Sequence, residues 1–405
     1  MIGHLRSGDW LTADRVRAAG AISLAIACLS ILYLLATSHG TLDAWGRPLG
    51  TDFSDVWTAG QMALDGRAPA AWDWAQHYQV QQAAHGDPHV PFYGWHYPPP
   101  FLLLASLLAL LPYLAALAVW QAASLWGALQ VCRTILPGRT ALLAMLGAPV
   151  VLLCVTHGQN GFLTAALLGG GLLLLDRRPL LAGLLFGCLI YKPQFALVIP
   201  VLLLAGGYLR AIAGACLSAA ALVGATLAIW GWPVWQAFLD SLPLTRQLVI
   251  EQGETGWHKI QSPFAMVRMW GGPVPLAYAV QGAVTVAAMG AVLWLARAAR
   301  PNLRNAAVCA AALLSTPYVL DYDLGLLGLG TLFLAADGLE RGFLPWEKSL
   351  LALAWLAPLL ARPLAEATFF PLGQASIVIL LALAVRRGLL AARRALPGEA
   401  APSAS

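Results

Sequence analysis

Long apolar runs separated by short polar connectors set the pattern of this chain. The first run covers roughly Ala19 to Thr37. Further runs cover approximately 99–132, 140–156, 160–175, 179–191, 193–206, 210–230, 273–296, 305–316, 319–336, 349–361 and 372–385. Several fall short of the ~20 residues of an untilted span. Short or broken helices at membrane depth are tolerated only where protein buries them or where they line a cavity. Gly169-Gly170-Gly171 and the prolines Pro149, Pro193 and Pro200 fit that picture. Pro112 divides the 99–132 run, which leaves the span count open there. The pattern predicts an all-α polytopic membrane protein with about 10–13 transmembrane or partly inserted helices.

One polar stretch breaks the rhythm. Between His39 and Tyr97 lie six aspartates, five of the eight histidines and five of the sixteen tryptophans. Val56 to Leu64 is amphipathic at helical period, and a helix is expected from Asp55 to Leu64. Ala70 to Ala84 reads as a second amphipathic helix, with Trp72 and Trp74 suited to the membrane interface. A polar loop of this length held by a rigid scaffold is a place for function.

Composition agrees with the pattern. Charged residues make up 11% of the chain, hydrophobic residues 59%, and the mean hydropathy is +0.71. A soluble domain carries about 25% charged residues. The net charge of +5 comes from arginine-rich connectors and points to no nucleic-acid partner. Only three lysines occur: Lys192, Lys259 and Lys348. The six cysteines lie inside apolar runs with no zinc-like spacing, so packing is expected rather than disulfides or a metal. No metal ligand set and no cofactor motif is expected. The first run, about 19 residues, exceeds the ~7–15 of a signal h-region and follows Arg6, Arg15 and Arg17. An uncleaved anchor with a cytoplasmic N-terminus is expected. Residues 1–18 are then a cytoplasmic N-terminus, 19–396 a single transmembrane domain, and 397–405 a disordered tail.

Arginine placement gives a topology, because short cytoplasmic loops collect Lys and Arg. The arginine-poor connectors are 39–98, 157–160, 191–194, 231–262, 317–323 and 362–371. Alternation places them all on the extracytoplasmic face, provided that 99–132 makes one net crossing.

Candidate chemistry sits in those connectors. Asp52 or Asp55, just beyond the first span, suits a general base that deprotonates an attacking hydroxyl; helix capping by Thr51, Asp52 or Ser54 is the alternative. His96 and Tyr97 precede Pro98-Pro99-Pro100, which forces an extended lead-in to the next run. His157, Gln159 and Asn160, within His157-Gly158-Gln159-Asn160-Gly161, offer groups for sugar hydroxyls or form a tight turn. Lys192, beside Gln194 in Tyr191-Lys192-Pro193-Gln194, is a rare cation near the bilayer boundary and suits a lipid-linked phosphate; snorkelling is the alternative. Tyr318, Asp321 and Asp323 provide groups for sugar hydroxyls or cation partners.

Taken in order, these motifs form a recognisable set. Thr51-Asp52-Phe53 with Trp57, Ala59-Gly60 and Leu64-Asp65-Gly66 is followed by Tyr97-Pro98-Pro99-Pro100-Phe101 and Leu110-Leu111-Pro112-Tyr113. Gly158-Gln159-Asn160-Gly161, Arg178-Pro179 with Ala182-Gly183, Tyr191-Lys192-Pro193-Gln194 and Thr316-Pro317-Tyr318 with Tyr322-Asp323 continue it. The chain resembles glycosyltransferase family 87, the DUF2029 proteins, over roughly residues 20–340. The resemblance implies a GT-C fold with its site facing away from the cytoplasm, in a bacterial inner membrane. It implies transfer of a hexose, mannose above all, from a polyprenyl-phosphate monosaccharide to a glycolipid or glycan acceptor, with inversion. It maps the family's catalytic aspartate onto Asp52, with Asp55 beside it. Lys192, with His96, would offset charge on the departing phosphate. A transporter or flippase for a lipid-linked sugar, and a non-catalytic subunit of a glycan-assembly complex, are the competing classes.

Overall fold

The computed structural model describes residues 2–298 and 300–395. The tail expected to be disordered, 397–405, lies outside the described residues. Helices account for the regular structure; among the described residues the extended pairing is confined to three isolated bridges. Seven helices are long and apolar enough to cross a membrane: Ala13–Ala36, Tyr113–Ile135, Leu209–Trp230, Val274–Arg297, Asp321–Arg341, Glu347–Thr368 and Leu372–Arg393. Arg139–Leu146 and Pro149–His157 form a broken span bent by 45°. Four shorter apolar helices, Pro99–Leu108, Gly161–Leu174, Pro179–Tyr191 and Pro193–Ala205, complete a set of twelve apolar segments. The protein is an all-α, multi-pass membrane protein.

Protein replaces lipid to different degrees around the short helices, which range from half-covered to fully buried. Pro301–Leu314 is the clearest case, since every side chain from Leu303 to Leu314 is buried. It packs against Val274–Ala298, Gly325–Arg341 and Leu372–Ala395. Its alanines, Ala306, Ala307 and Ala310–Ala312, let neighbouring backbones approach closely, which favours helix association in lipid. The first span is the opposite case, with only 11% of its apolar window buried. Cys28 and Cys216 are exposed on their spans rather than packed, whereas Cys154 and Cys309 are buried.

The 99–132 run divides as its proline predicts. Pro99–Leu108 has ten residues, about 15 Å at 1.5 Å per residue and half of a ~30 Å hydrocarbon core. Tyr113–Ile135, with 23 residues, is the spanning piece.

The polar loop between the first two spans is a folded cap seated on the bundle. Phe53–Leu64 lies against Pro99–Leu108 so closely that a Cβ at Gly60 would collide with the Ala105 carbonyl oxygen. Trp57 donates to the Leu111 carbonyl at 3.0 Å, Trp72 to the Tyr97 carbonyl at 3.1 Å, and Tyr113 to the Leu49 carbonyl at 2.7 Å. Two expectations for this loop need correction. The second amphipathic helix is broken: a 3-10 turn, Ala68–Trp72, precedes the helix Trp74–His85. Asp73 imposes the break, because its carboxylate accepts from the Ala75 and Gln76 amides and caps the new helix. Trp72 is buried against Trp95 and Phe238, so it is core rather than interface.

The stretch 231–262 is more than a connector. It holds the helix Trp232–Thr245, a π-helical turn Arg246–Glu251 and a 3-10 turn Trp257–Lys259. Ile260 then pairs with Leu320 in an isolated antiparallel bridge, with the Gln261 amide donating to the Val319 carbonyl at 2.7 Å.

Candidate active site

All six arginine-poor connectors contribute walls to one cavity of about 680 Å³. Asp52, Asp55, His96, Tyr97, His157, Gln159, Lys192, Gln194, Tyr318 and Asp321 line it. Asn160 and Asp323 stand one step behind, each bonded to a wall residue. Asn160 Nδ2 donates to the Tyr97 hydroxyl at 2.7 Å, and Asp323 Oδ1 accepts from Lys192 Nζ at 2.7 Å. Residues distant in sequence are thus joined in one polar shell.

Asp52 stands where Phe53–Leu64 begins, yet its side chain makes no cap hydrogen bond. Ser54 is not a cap either, since its hydroxyl bonds His85 Nε2 at 2.8 Å. Gln159 Nε2 donates instead to Asp52 Oδ2 at 2.7 Å, while the Tyr97 hydroxyl donates to Gln159 Oε1 at 3.2 Å. The chain Tyr97–Gln159–Asp52 fixes the carboxylate and leaves it partly exposed to the cavity. The turn that delivers Gln159 depends on Gly158, whose φ is +63°, with Phe53 and Gly50 pressed against it. A side chain at Gly158 would meet both backbone strain and a collision.

Asp55, one helical turn on, is buried, and its Oδ1 lacks a hydrogen-bond partner. Burial, then the charge of Asp52, pushes its carboxyl well above the usual carboxylate range. The shift runs toward the protonated carboxyl, which is a hydrogen-bond donor. His96 Nδ1 meets the Thr245 hydroxyl at 3.1 Å. Burial lowers its pKa to about 4, which favours the neutral ring while the cavity holds no anion.

Lys192 lines the cavity but is a paired cation, not a lone one. Its side chain is 3% exposed and its ammonium is closed in an ion pair with Asp323, with the rings of Phe195 and Tyr322 at 5.3 and 5.2 Å. Asp323 Oδ2 further accepts from the Leu320 amide at 3.0 Å. Removing one member of such a buried pair strands the other charge. His157 bonds the Leu153 carbonyl at 2.8 Å and faces the cavity from the helix end.

Sequence reasoning missed the cations that remain open. Lys259 and Arg362 line the cavity, and among the described residues neither has a carboxylate within ion-pair distance. Burial, then the charge of Arg362, lowers the pKa of Lys259, while Asp321 and Asp52 oppose that shift. Two like charges near one another, neither closed in an ion pair, favour an anion at that wall, with Asp321 and Glu366 as their nearby acids. Two signals were legible: Lys259 is one of three lysines, and Arg362 opens an arginine-poor connector. Among the described residues no group of His, Cys, Asp and Glu is arranged to hold a metal ion.

Spanning helices around a polar cavity, capped by a folded loop, define an integral membrane protein built to handle a polar group at the membrane surface. The sequence profile of glycosyltransferase family 87 matches residues 95–319, more than half of the chain. The chain belongs to glycosyltransferase family 87 and is a membrane glycosyltransferase. The matched stretch includes the Tyr97, Gln159, Lys192 and Tyr318 motifs; Asp52, Asp55, Asp321 and Asp323 lie outside it. No curated protein and no solved structure matches the chain.

Proposed function

We propose that this chain is a GT-C-type glycosyltransferase that moves a hexose, such as mannose, from a polyprenyl-phosphate monosaccharide to an acceptor hydroxyl. Asp52 is the general base. The observation that carries this reading is its placement: a carboxylate at a helix start, uncapped, oriented by Gln159 at 2.7 Å and facing a cavity with two open cations. A carboxylate used for capping would have been satisfied by backbone amides.

The acceptor oxygen attacks the anomeric carbon as its proton passes to Asp52. The bond from that carbon to the phosphate oxygen breaks on the opposite side, so the sugar inverts. The electron pair leaves with polyprenyl phosphate. Lys259 and Arg362 supply the countercharge for that phosphate, the electrostatic contribution expected of fixed cations in a site poor in water. The Lys192–Asp323 pair is neutral as a unit, and its part is to hold the 191–194 and 321–324 segments together. Gln159, Tyr97, Asn160, Gln194, Tyr318 and Asp321 provide polar groups for sugar hydroxyls. Phe238, Leu242 and Ile250 give the cavity an apolar side suited to a polyprenyl chain. No resident cofactor or metal is part of the scheme. Arginine-rich connectors in the cytoplasm and the cavity on the outer face of a bacterial inner membrane complete the reading.

The test is transfer by purified protein in vesicles, offered a panel of polyprenyl-phosphate sugars with membrane lipids, products being identified by mass spectrometry. Asp52→Asn is expected to lower transfer about 10³-fold with the fold intact. Full activity in that variant would refute the base assignment.

A further inference from the structure

A second cavity, about 570 Å³, adjoins the first. Arg47, Thr51 and His157 line both, so the two volumes meet across a shared wall beside Asp52. The outer wall of the second is the last turns of the first span, including Leu29, Ser30 and Tyr33. That span is almost unburied by protein, so the groove opens sideways toward lipid. At its rim, Tyr33 and Trp45 are both exposed, with ring centroids 6.2 Å apart. Exposed aromatic pairs at the end of a span suit the headgroup layer.

Its charge differs from that of the reaction cavity. Arg47 is its one cation, and Asp43 neutralises it at 2.8 Å while stacking over Trp45 holds the guanidinium in place. Asp43 is itself fixed by the Trp45 and Arg47 amides, both 2.9 Å from Oδ1. At the junction, Thr51 Oγ1 is buried and has no hydrogen-bond partner. Buried polar atoms are ordinarily paired, so an orphan at a cavity wall points to a missing partner.

We infer that this groove is the acceptor site, and that it takes a membrane lipid with a neutral, hydroxyl-bearing headgroup. The acyl chain lies along Leu29 to Tyr33, and the headgroup passes Arg47 and Thr51 to present a hydroxyl to Asp52. A phosphate-linked lipid is disfavoured here, because Asp43 cancels the only cation; the open cations lie across the reaction cavity at Lys259 and Arg362. The two lipids therefore approach Asp52 from different sides, sorted by charge. This inference rests on the transferase reading above.

Photo-labelling of the full chain in vesicles tests the groove without requiring turnover. Two probes are compared: a monohexosyl diacylglycerol with a diazirine in one acyl chain, and a polyprenyl phosphate with a diazirine in its tail. The glycolipid is expected to label the peptide containing Leu29 to Leu34, and the polyprenyl phosphate the segment from Phe238 to Ile250. Labelling of 29–34 by polyprenyl phosphate, or its absence with the glycolipid, overturns the inference. Kinetics provide the second arm. Ser30→Trp puts an indole into the groove from the span; displacing as few as about two buried methylenes of the acyl chain already predicts an acceptor KM raised about tenfold or more. Donor KM and the slow hydrolysis of donor by water are expected to stay unchanged. A shift in donor KM instead counts against the assignment. If the wild-type protein transfers no sugar at all, the transferase reading fails, while the labelling pattern still decides what the groove binds.

Discussion

The two ends of the Gly325–Arg341 helix treat charge in opposite ways. At its C-terminal end Asp337 lies 3.0 Å from Arg300 and 2.5 Å from Arg387. Arg387 also forks onto Glu347 at 2.7 and 2.5 Å and donates to the Gly342 carbonyl at 2.8 Å. Nearby, Arg304 binds Asp176 at 3.0 and 2.9 Å, with the Tyr208 hydroxyl at 2.8 Å. These donors and acceptors close on one another and tie the helix ends together. At the N-terminal end Lys192 closes on Asp323, and Arg47 at the cavity edge on Asp43. Lys259 and Arg362 stay open, Asp52 is held by one amide, and Asp55 Oδ1 and Thr51 Oγ1 lack partners. Where charges complete each other they hold structure. Where they are left incomplete, a ligand has something to complete.

The contrast is sharpest when a charge is removed at each end. Arg387→Ala strands Glu347 in a buried setting, while Asp337 keeps Arg300, and is expected to cost about 3–5 kcal/mol, read as a large fall in the thermal midpoint in detergent. Transfer activity per folded molecule should be retained. Lys259→Ala and Arg362→Ala should behave in reverse, lowering kcat/KM for the donor about 10²-fold while moving the thermal midpoint little. If either open cation proves essential for folding and irrelevant to turnover, the distinction between the two ends collapses.

Acid probes the cap of the cavity. Burial is the chief cause that lowers His77 to about 3, and His85 and His96 to about 4; an unfolded histidine titrates near ~6.5. These rings bind protons more readily when the cap opens. Their stabilising contribution is whole above about pH 6.5 and is lost as pH falls toward the folded values. Limited proteolysis of the 39–98 cap should therefore accelerate between about pH 6 and pH 4, before the helical bundle yields. Resistance unchanged across that range would show that the cap is not held by neutral imidazoles.

The smallest expected effect is at Asp55. Its raised pKa means that folding favours the protonated carboxyl, so its contribution is present below about pH 3.9 and lost as pH rises through the folded value. Asp55→Asn imitates the favoured form. Thermal stability of the variant should equal or slightly exceed that of the parent at pH 8, with the gap narrowing toward pH 5. A marked loss of stability in the variant would mean that the carboxylate form is the one the fold uses.

Much of this end was legible in the chain. The concentration of polar residues in 39–98, the short motifs at 157–160, 191–194 and 317–323, and the lack of arginine in their connectors pointed to one face, and these segments line one cavity. Pro112 marked the break between a short helix and a span. The helix break at Asp73 was harder to see, because the apolar periodicity continues across it and only the cap reveals it. Trp72 carried no mark of its burial, since a tryptophan suits an interface and a core equally well.

Hydropathy and residue type are local properties, so the sequence by itself determined the membrane class, most helices, the polar segments and the acid that emerges after the first span. Pairing is not local. That Lys192 is closed by Asp323, 131 positions away, while Lys259 and Arg362 stay open, was decided only when packing brought separate connectors to one wall. The strength of a charge in a site depends on its neighbours and on its distance from water, and the folded chain alone sets both.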